Sequence, residues 1–354
     1  MNVLITAPSL DTSSNVSGIS SVVLNIINHS SADFMHFLVG RKDNEKGGIA
    51  WIFKQFALII KFPGAVKKAD IAHINTALNP LSIFRDFFFV LISKIMGKKV
   101  LLHLHGGKYL MNDCKNPITV LFINRMIKLS NYVLVLSPLE ESRVKEKYHV
   151  NRLSYLVNSI PPQKILISRA AKTNDEPLII TFLGRIHESK GVEDIVKAME
   201  LVNQSSQNFR FYVYGKGPMK DFMVESLHRI LNHRFEYKGV AGGDSKWKAL
   251  EESDIFLLPS RYGEGLPMAM LEAMAVGNTV ITTNDASITY AVDDKINGLI
   301  VKKHNPSDIA EKLELLLTNR SLLSGFSQKA MDTINLKFNM KSYIERLEKI
   351  YATI

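Results

Sequence analysis

Residues 254–280 read DIFLLPSRYGEGLPMAMLEAMAVGNTV, and the succession of apolar strand, polar loop and helix inside that stretch decides the fold class. Ile255–Leu258 are a continuous apolar run of the kind a parallel strand needs when both its faces are covered, and residues 259–265 form a loop at its carboxyl end. Pro267 suits the first turn of a helix, where its missing N–H costs nothing. Gly277 suits the position just past the last turn, where a left-handed residue is wanted. The amides of Gly265, Leu266 and Met268 then open that helix at the positive end of its dipole, a seat for an anion or a phosphorylated ligand. Glu264 lies in the loop and Glu272 one and a half turns into the helix, among Met268, Met270, Leu271 and Met274. A glutamate in such company faces either solvent or a polar ligand.

Upstream, residues 178–183 repeat the continuous apolar run and lead into GRIHESKG, residues 184–191. There Arg185 and Lys190 flank a short turn. A guanidinium and an ammonium converging at a strand end suit a diphosphate, although two solvated charges in a turn have the same spelling. The strand at 211–214 ends in GKGP, where Gly215 and Gly217 permit a close turn and Pro218 starts a helix. Residues 235–238 lead to GVAGGDSKW, whose backbone is exposed around Val240, and further strands at 279–282 and 298–301 precede helices at 306–318 and 320–335.

The first half alternates in the same way. Strands are expected at 2–6, 37–39, 71–74, 100–104 and 133–136, with helices at 51–62, 81–96, 117–129 and 138–148 between them, giving a doubly wound parallel sheet of about five strands. The loop APSLDTSSNVSGIS, residues 7–20, leads from strand to helix with Gly18 admitting a ligand close to the backbone, yet it lacks the G-x-G-x-x-G of a dinucleotide site. HLHGGKY, residues 103–109, stands at a strand's carboxyl end. Alternation sends His103 and His105 to one face, but no third metal ligand is near. Asn75, Asn79, Arg85 and Asp86 fit either the lining of an acceptor site or a capped, salt-bridged helix. Residues 158–177, stiffened by Pro161 and Pro162, read as a linker.

Composition narrows the class. With 354 residues, 46% hydrophobic and 9% aromatic, the chain is long enough for two packed domains. The single Cys114 excludes an intrachain disulfide and favours a reducing compartment. MNVLITAPSL reads as a first strand and not a signal peptide, and the apolar stretch 81–96 carries Arg85, Asp86 and Lys94, so a cytoplasmic chain without a membrane span is expected. Net charge is +10, and residues 1–165 hold 20 Lys/Arg against 10 Asp/Glu whereas residues 166–354 hold 24 against 24. A basic first half fits an anionic partner or an ordinary basic surface.

Glu264 and Glu272, with seven residues between them, GLP after the first, LLPSRYGEG before it and AMAVGNTVI after the second, resemble the signature of retaining glycosyltransferases of family 4. The resemblance covers most of the chain and is densest over residues 178–305. It implies an α/β chain of GT-B fold, two doubly wound Rossmann-like domains facing a central cleft: residues 1–165 binding the acceptor, 166–335 binding the nucleotide-sugar, and 336–354 a helix packing back on the first domain through Tyr343, Ile344, Leu347, Ile350 and Tyr351. By the same resemblance Glu264 meets donor-sugar hydroxyls and Glu272 ribose hydroxyls. Arg185 and Lys190 take the diphosphate. Gly18 faces the phosphates, and His105, with His103 the alternative, stands beside the sugar. Gly215, Val240, Gly265, Leu266 and Pro267 complete the donor site. Residues 157–160, VNSI, resemble the family's strand-end Asn segment.

The function implied is sugar transfer, with retention, from a UDP-sugar, GDP-mannose being next, to a glycan acceptor carried on polyprenyl diphosphate. The product would be a surface polysaccharide, lipopolysaccharide O-antigen or capsule. No cofactor and no metal are expected, since no Asp-x-Asp pair is present. A non-hydrolysing sugar-nucleotide epimerase of the same fold would need acid and base carboxylates that are not found in the first domain. A nucleic-acid binder would need aromatics interleaved with Lys67, Lys68, Lys98 and Lys99, so no nucleic-acid partner is expected. The excess charge of the first half implies peripheral contact with the anionic inner face of the cell membrane.

Overall fold

Continuous apolar runs in the first half become the strands β1 (Asn2–Ala7), β2 (Asp33–Leu38), β3 (Ile71–Thr76), β4 (Lys99–Leu104), β5 (Tyr132–Val135) and β6 (Leu153–Tyr155). They lie in the order β2-β1-β3-β4-β5-β6 with every neighbouring pair parallel. The second half supplies β7 (Leu178–Leu183), β8 (Phe209–Tyr214), β9 (Phe235–Gly239), β10 (Ile255–Leu258), β11 (Thr279–Thr283) and β12 (Gly298–Val301). Their order is β12-β11-β10-β7-β8-β9, again all parallel. Helices connect the strands, as parallel pairing requires. Each sheet is therefore of the doubly wound, Rossmann-like α/β kind. The computed structural model describes residues 1–11, 17–40, 48–164, 166, 168, 172–173, 175–206, 208–285 and 287–354.

Two units result. One is Met1–Asn158 with Met340–Ile354, the other Ser159–Asn339. These limits fall at 158/159 and 339/340, where the sequence suggested 165/166 and 335/336. The shift has a hydrogen-bonded cause: the Ile160 amide donates to the Phe338 carbonyl at 2.9 Å, and Ile160 bridges Asn339, so both segments pair within the second unit. Residues 12–16 of the small-residue loop, and residues 165, 167, 169–171 and 174 of the linker stretch, lie outside the described residues.

The first sheet has six strands, not five, because β6 pairs with β5 although only Leu153 of its three residues is buried. An edge strand this short leaves no apolar run to read. β2 begins at Asp33, four residues before the expected start, for the same reason: it is the other edge, and its residues alternate between exposed and half-buried. The helix Ile49–Val66 also continues through Pro63, past its expected end at 62. Among the described residues no helix is long and apolar enough to cross a membrane.

The core of the first unit holds an unusual polar element. His73 of β3 and His103 of β4 are both fully buried, with His73 Nε2 3.3 Å from His103 Nδ1. Tyr351, on the helix Met340–Thr353, lies with its hydroxyl 2.6 Å from His73 Nδ1. Tyr351, His73 and His103 thus form a buried chain of polar groups whose donor roles follow the histidine tautomers, and His103 Nε2 has no partner. Burial, helped by the nearby His105, pushes the His73 pKa down to about 3. Burial also holds His103 well below its ordinary value, with His105 and His73 adding to the effect.

Both rings are neutral when folded and protonate when unfolded below their ordinary pKa of 6.5. Between that value and the folded one the unfolded chain binds more protons, so stability is lost as pH falls from 6.5 towards 3, by up to about 1.4 kcal/mol per pH unit per histidine. We expect His73→Gln to flatten the dependence of stability on pH between 6 and 4.5 by about 1 kcal/mol per unit, measured by denaturant unfolding. An unchanged slope would count against the buried rings as its source.

Candidate functional site

In the second sheet the strand order reverses between β7 and β10, and ligands bind doubly wound sheets in the crevice outside the carboxyl ends at such a point. Residues 184–191 leave β7 there, residues 215–219 leave β8 and residues 259–267 leave β10. The first two loops continue the sheet as a ladder. Gly184 donates to Tyr214 at 3.0 Å, Ile186 to Lys216 at 2.9 Å, and Met219 back to Ile186 at 3.1 Å. Gly215 makes this possible: at φ 135° it presses on Gly184 so closely that a Cβ would lie 1.8 Å from the Gly184 oxygen. Tyr237 of β9 donates to the Gly215 carbonyl at 2.8 Å. Val240, exposed, immediately follows Gly239 at the end of that strand.

The β10 loop is fastened to the β7 loop by backbone and side chains together. Gly191, at φ 71°, approaches the Pro259 carbonyl so that a Cβ would sit 2.2 Å from its oxygen. The Arg261 amide donates to Ser189 O at 2.8 Å. The Arg261 guanidinium donates twice to the buried Asp194, at 2.8 Å each, and reaches Glu193 at 3.0 Å. Tyr262 donates to Glu188.

Onto this scaffold the charges converge. Lys190 and the Ser260 hydroxyl both donate to Oε1 of Glu264, whose amide donates to Asp285 at 3.0 Å. Glu264 is buried, and so is Glu272, on the helix Met268–Ala275. Lys246 donates to Glu272 Oε1 at 2.5 Å, while the buried Oε2 has no hydrogen-bond partner. Of the two orientations open to Glu272 in the sequence, the inward one is observed. Arg185 is exposed and forms no hydrogen bond or ion pair among the described residues. Partial burial first, and then the charges of Arg185 and Lys190, hold the His187 between them below its ordinary pKa, against the opposing pull of Glu188.

Pro267 occupies the N-cap of its helix, with Met270 and Leu271 both donating to its carbonyl at 3.2 Å. Gly277 takes the left-handed position after the last turn, at φ 78°. The amides of Gly265 and Met268 have no backbone partner among the described residues; Leu266 is buried beside them.

In the first unit, Gly18 begins the helix Gly18–His29 after Ser17 at the N-cap, and nothing lies within 4 Å of a Cβ added there. His105 follows β4 with its ring 4.0 Å from that of His103, as alternation requires. Its Nε2 lies 2.7 Å from Asn75 Oδ1. Asn75 Nδ2 is committed to Thr6 O at 3.0 Å, so Oδ1 accepts and His105 carries its proton on Nε2. Arg85 and Asp86 form a buried ion pair at 2.7 Å, with Gln55 accepting from Arg85 at 3.1 Å, inside the helix pair and not on an open face.

Sequence reasoning missed Ser260, Asp285 and Lys246, and it treated Lys190 and Glu264 as separate functions although they are an ion pair. Ser260 and Lys246 both fall within quoted motifs, but pairing between residues 26 or 74 positions apart leaves no local signal.

Asp194 is buried and its carboxylate is held by Arg261, so removing the arginine strands a charge. We expect Arg261→Ala to destabilise the second unit by about 3 kcal/mol, and Arg261→Met with Asp194→Leu to recover most of it, read by chemical denaturation.

Residues 163–333 match the family described as Glycosyl transferases group 1. An uncharacterized glycosyltransferase of Methanocaldococcus jannaschii is 24% identical over 213 residues, covering 60% of this chain and 54% of that protein. The capsular polysaccharide biosynthesis glycosyltransferase CapM of Staphylococcus aureus is 24% identical over 218 residues, covering 61% of this chain and 50% of CapM. The matches thus span about half the length of these relatives. The crystal structure of Anabaena HepE in complex with UDP and glucose superposes over 100% of both chains with a TM-score of 0.78 at 12% identity, a likeness of fold of the GT-B type.

Proposed function

We propose that the chain is a retaining, metal-independent glycosyltransferase of family 4 type. In this reading it moves a sugar from a nucleotide-sugar, a UDP-sugar before GDP-mannose, to a glycan acceptor on polyprenyl diphosphate during surface-polysaccharide synthesis. One observation carries the reading: at the switch point of the second sheet Lys190 pairs with the buried Glu264, Arg185 stands exposed at the same strand end, and the buried Glu272, paired with Lys246, keeps one carboxylate oxygen without a hydrogen-bond partner. A nucleotide-sugar is two polyols joined by a diphosphate. Its site needs cations for the diphosphate and carboxylate acceptors for the hydroxyls, and that is the inventory present. The UDP and glucose of the HepE complex, and the capsular product named for CapM, support the choice of donor and pathway.

In the reaction the bond from the anomeric carbon to the diphosphate breaks while one to the acceptor oxygen forms on the same face. Charge grows on the departing phosphate. Arg185, Lys190 and the amides of Gly265 and Met268 stabilise it, in the way that fixed donors aimed at developing charge lower a barrier. Glu264 holds the sugar, Glu272 the ribose, and Gly215 and Val240 border the base.

Arg185→Ala and Lys190→Ala should each lower transfer roughly ten- to a hundredfold with the fold kept, the loss of one charge-assisted hydrogen bond in the transition state. Wild-type turnover by both folded variants would remove the phosphate role. In calorimetry with UDP, Glu272→Gln should weaken binding more than Glu264→Gln, and the opposite order would exchange the two assignments.

The same reading has the first unit dock on an anionic leaflet. Phe53, Phe56 and Ile60, spaced three and four apart on the helix Ile49–Val66, are 68%, 46% and 79% exposed, with exposed Lys61, Lys67 and Lys68 on and after the same helix. Phe89 is instead wholly buried, and Phe87 and Phe88 half-buried, so they are not part of that stripe. Each lysine near such a surface contributes about 1 kcal/mol. Sedimentation with phosphatidylglycerol vesicles should carry the protein down at low salt and release it at high salt, and Phe53→Ser with Ile60→Ser should reduce the bound fraction. Equal, negligible binding to anionic and neutral vesicles would end the proposal.

A further inference from the structure

Glu272 is 3% exposed, and its two oxygens are treated differently by the fold. Oε1 accepts from Lys246 Nζ at 2.5 Å, and the buried Oε2 has no hydrogen-bond partner. Lys246 stands in the first turn of the helix Asp244–Glu251, its side chain 15% exposed and its ammonium 5.9 Å from the centre of the Trp247 ring. Lys164 lies over the same ring at 5.4 Å and reaches Asp244 at 3.5 Å, so the turn that carries Lys246 is itself fixed. A buried carboxylate left without a cation beside it is costly to the fold. A single contact on one oxygen also sets the direction in which the other presents its lone pairs.

We propose that Lys246 is a positioning residue that gives the nucleotide site its selectivity for ribose. By holding Oε1 it fixes the carboxylate and presents Oε2 to the sugar hydroxyls of the nucleoside. This rests on the reading of Glu272 as the ribose contact and goes beyond it, since it names the group on which that contact depends. A deoxyribose leaves Oε2 buried and unpaired, and sites built to bond a hydroxyl reject the analogue lacking it far more strongly than sites that merely enclose it. Were Lys246 only a neutralising partner for a buried charge, its loss would lower stability and leave the ratio of affinities alone.

The test is calorimetry of UDP and 2′-deoxy-UDP with the full chain. The wild type should prefer UDP by about tenfold or more, Lys246→Met should bring the two affinities within about threefold, and Lys246→Arg should restore the preference. A folded Lys246→Met variant that keeps the wild-type ratio would overturn the proposal. If that variant does not fold, Lys246→Met is made with Glu272→Gln, which leaves no buried charge. Its UDP affinity should equal that of Glu272→Gln alone, and a further loss would show Lys246 acting by another route and overturn the proposal. Absence of UDP and GDP binding by the wild type would instead remove the functional reading beneath it.

Discussion

The second unit depends on a place where two backbones touch. Gly191 presents no side chain to the Pro259 carbonyl, and the approach that a Cβ would block at 2.2 Å brings the ends of β7 and β10 together. Gly215 against Gly184 does the same for β7 and β8. Parallel strands are otherwise held a strand's width apart, with side chains filling the space beyond their ends. Removing two side chains closes that space to backbone contact. Charged groups can then be mounted on short, doubly anchored loops instead of at the tips of free ones.

What those loops carry is nearly neutral. Lys190 offsets Glu264 and Lys246 offsets Glu272, both in surroundings where an unpaired charge is costly. The surplus positive charge of the chain lies elsewhere, in the first 165 residues. Arg185, exposed at the same strand end, has no ion-pair partner among the described residues. The first unit's interior also pairs a buried Arg85 with Asp86, but its buried histidines are different. His73 and His103 carry no compensating charge and are held neutral by burial.

Strands covered on both faces were legible because burial makes them apolar throughout. Ile255–Leu258 and Leu178–Leu183 fall where the sequence put them, and so does the edge strand Gly298–Val301, most of whose residues are buried. The edge strands β2 and β6 were not legible, since they have one neighbour and mostly exposed or half-buried residues. Helices bounded by proline and asparagine, such as Pro117–Leu129 and Pro306–Thr318, were placed to the residue because their caps are written locally; Asn116 and Asn305 accept from the first-turn amides. Within the candidate site, positions set by a loop's own sequence were readable and partnerships across the fold were not. Lys190 with Glu264, Lys246 with Glu272, and Asn75 with His105 join residues 74, 26 and 30 apart, and each pairing is fixed by strand order alone.

The chain enters and leaves the second unit at one point, where the Ile160 amide meets the Phe338 carbonyl. The second unit is thus an insertion within the first, and the first is finished only by the helix Met340–Thr353 at the chain's end. Domains made on the ribosome ordinarily fold in the order in which they emerge. Here the inserted unit is complete before the host. Until residues 340–354 emerge, His73 lacks Tyr351, and the surface destined for Tyr343, Ile344 and Leu347 stays open, so the unit begun first is completed after the one inserted in it.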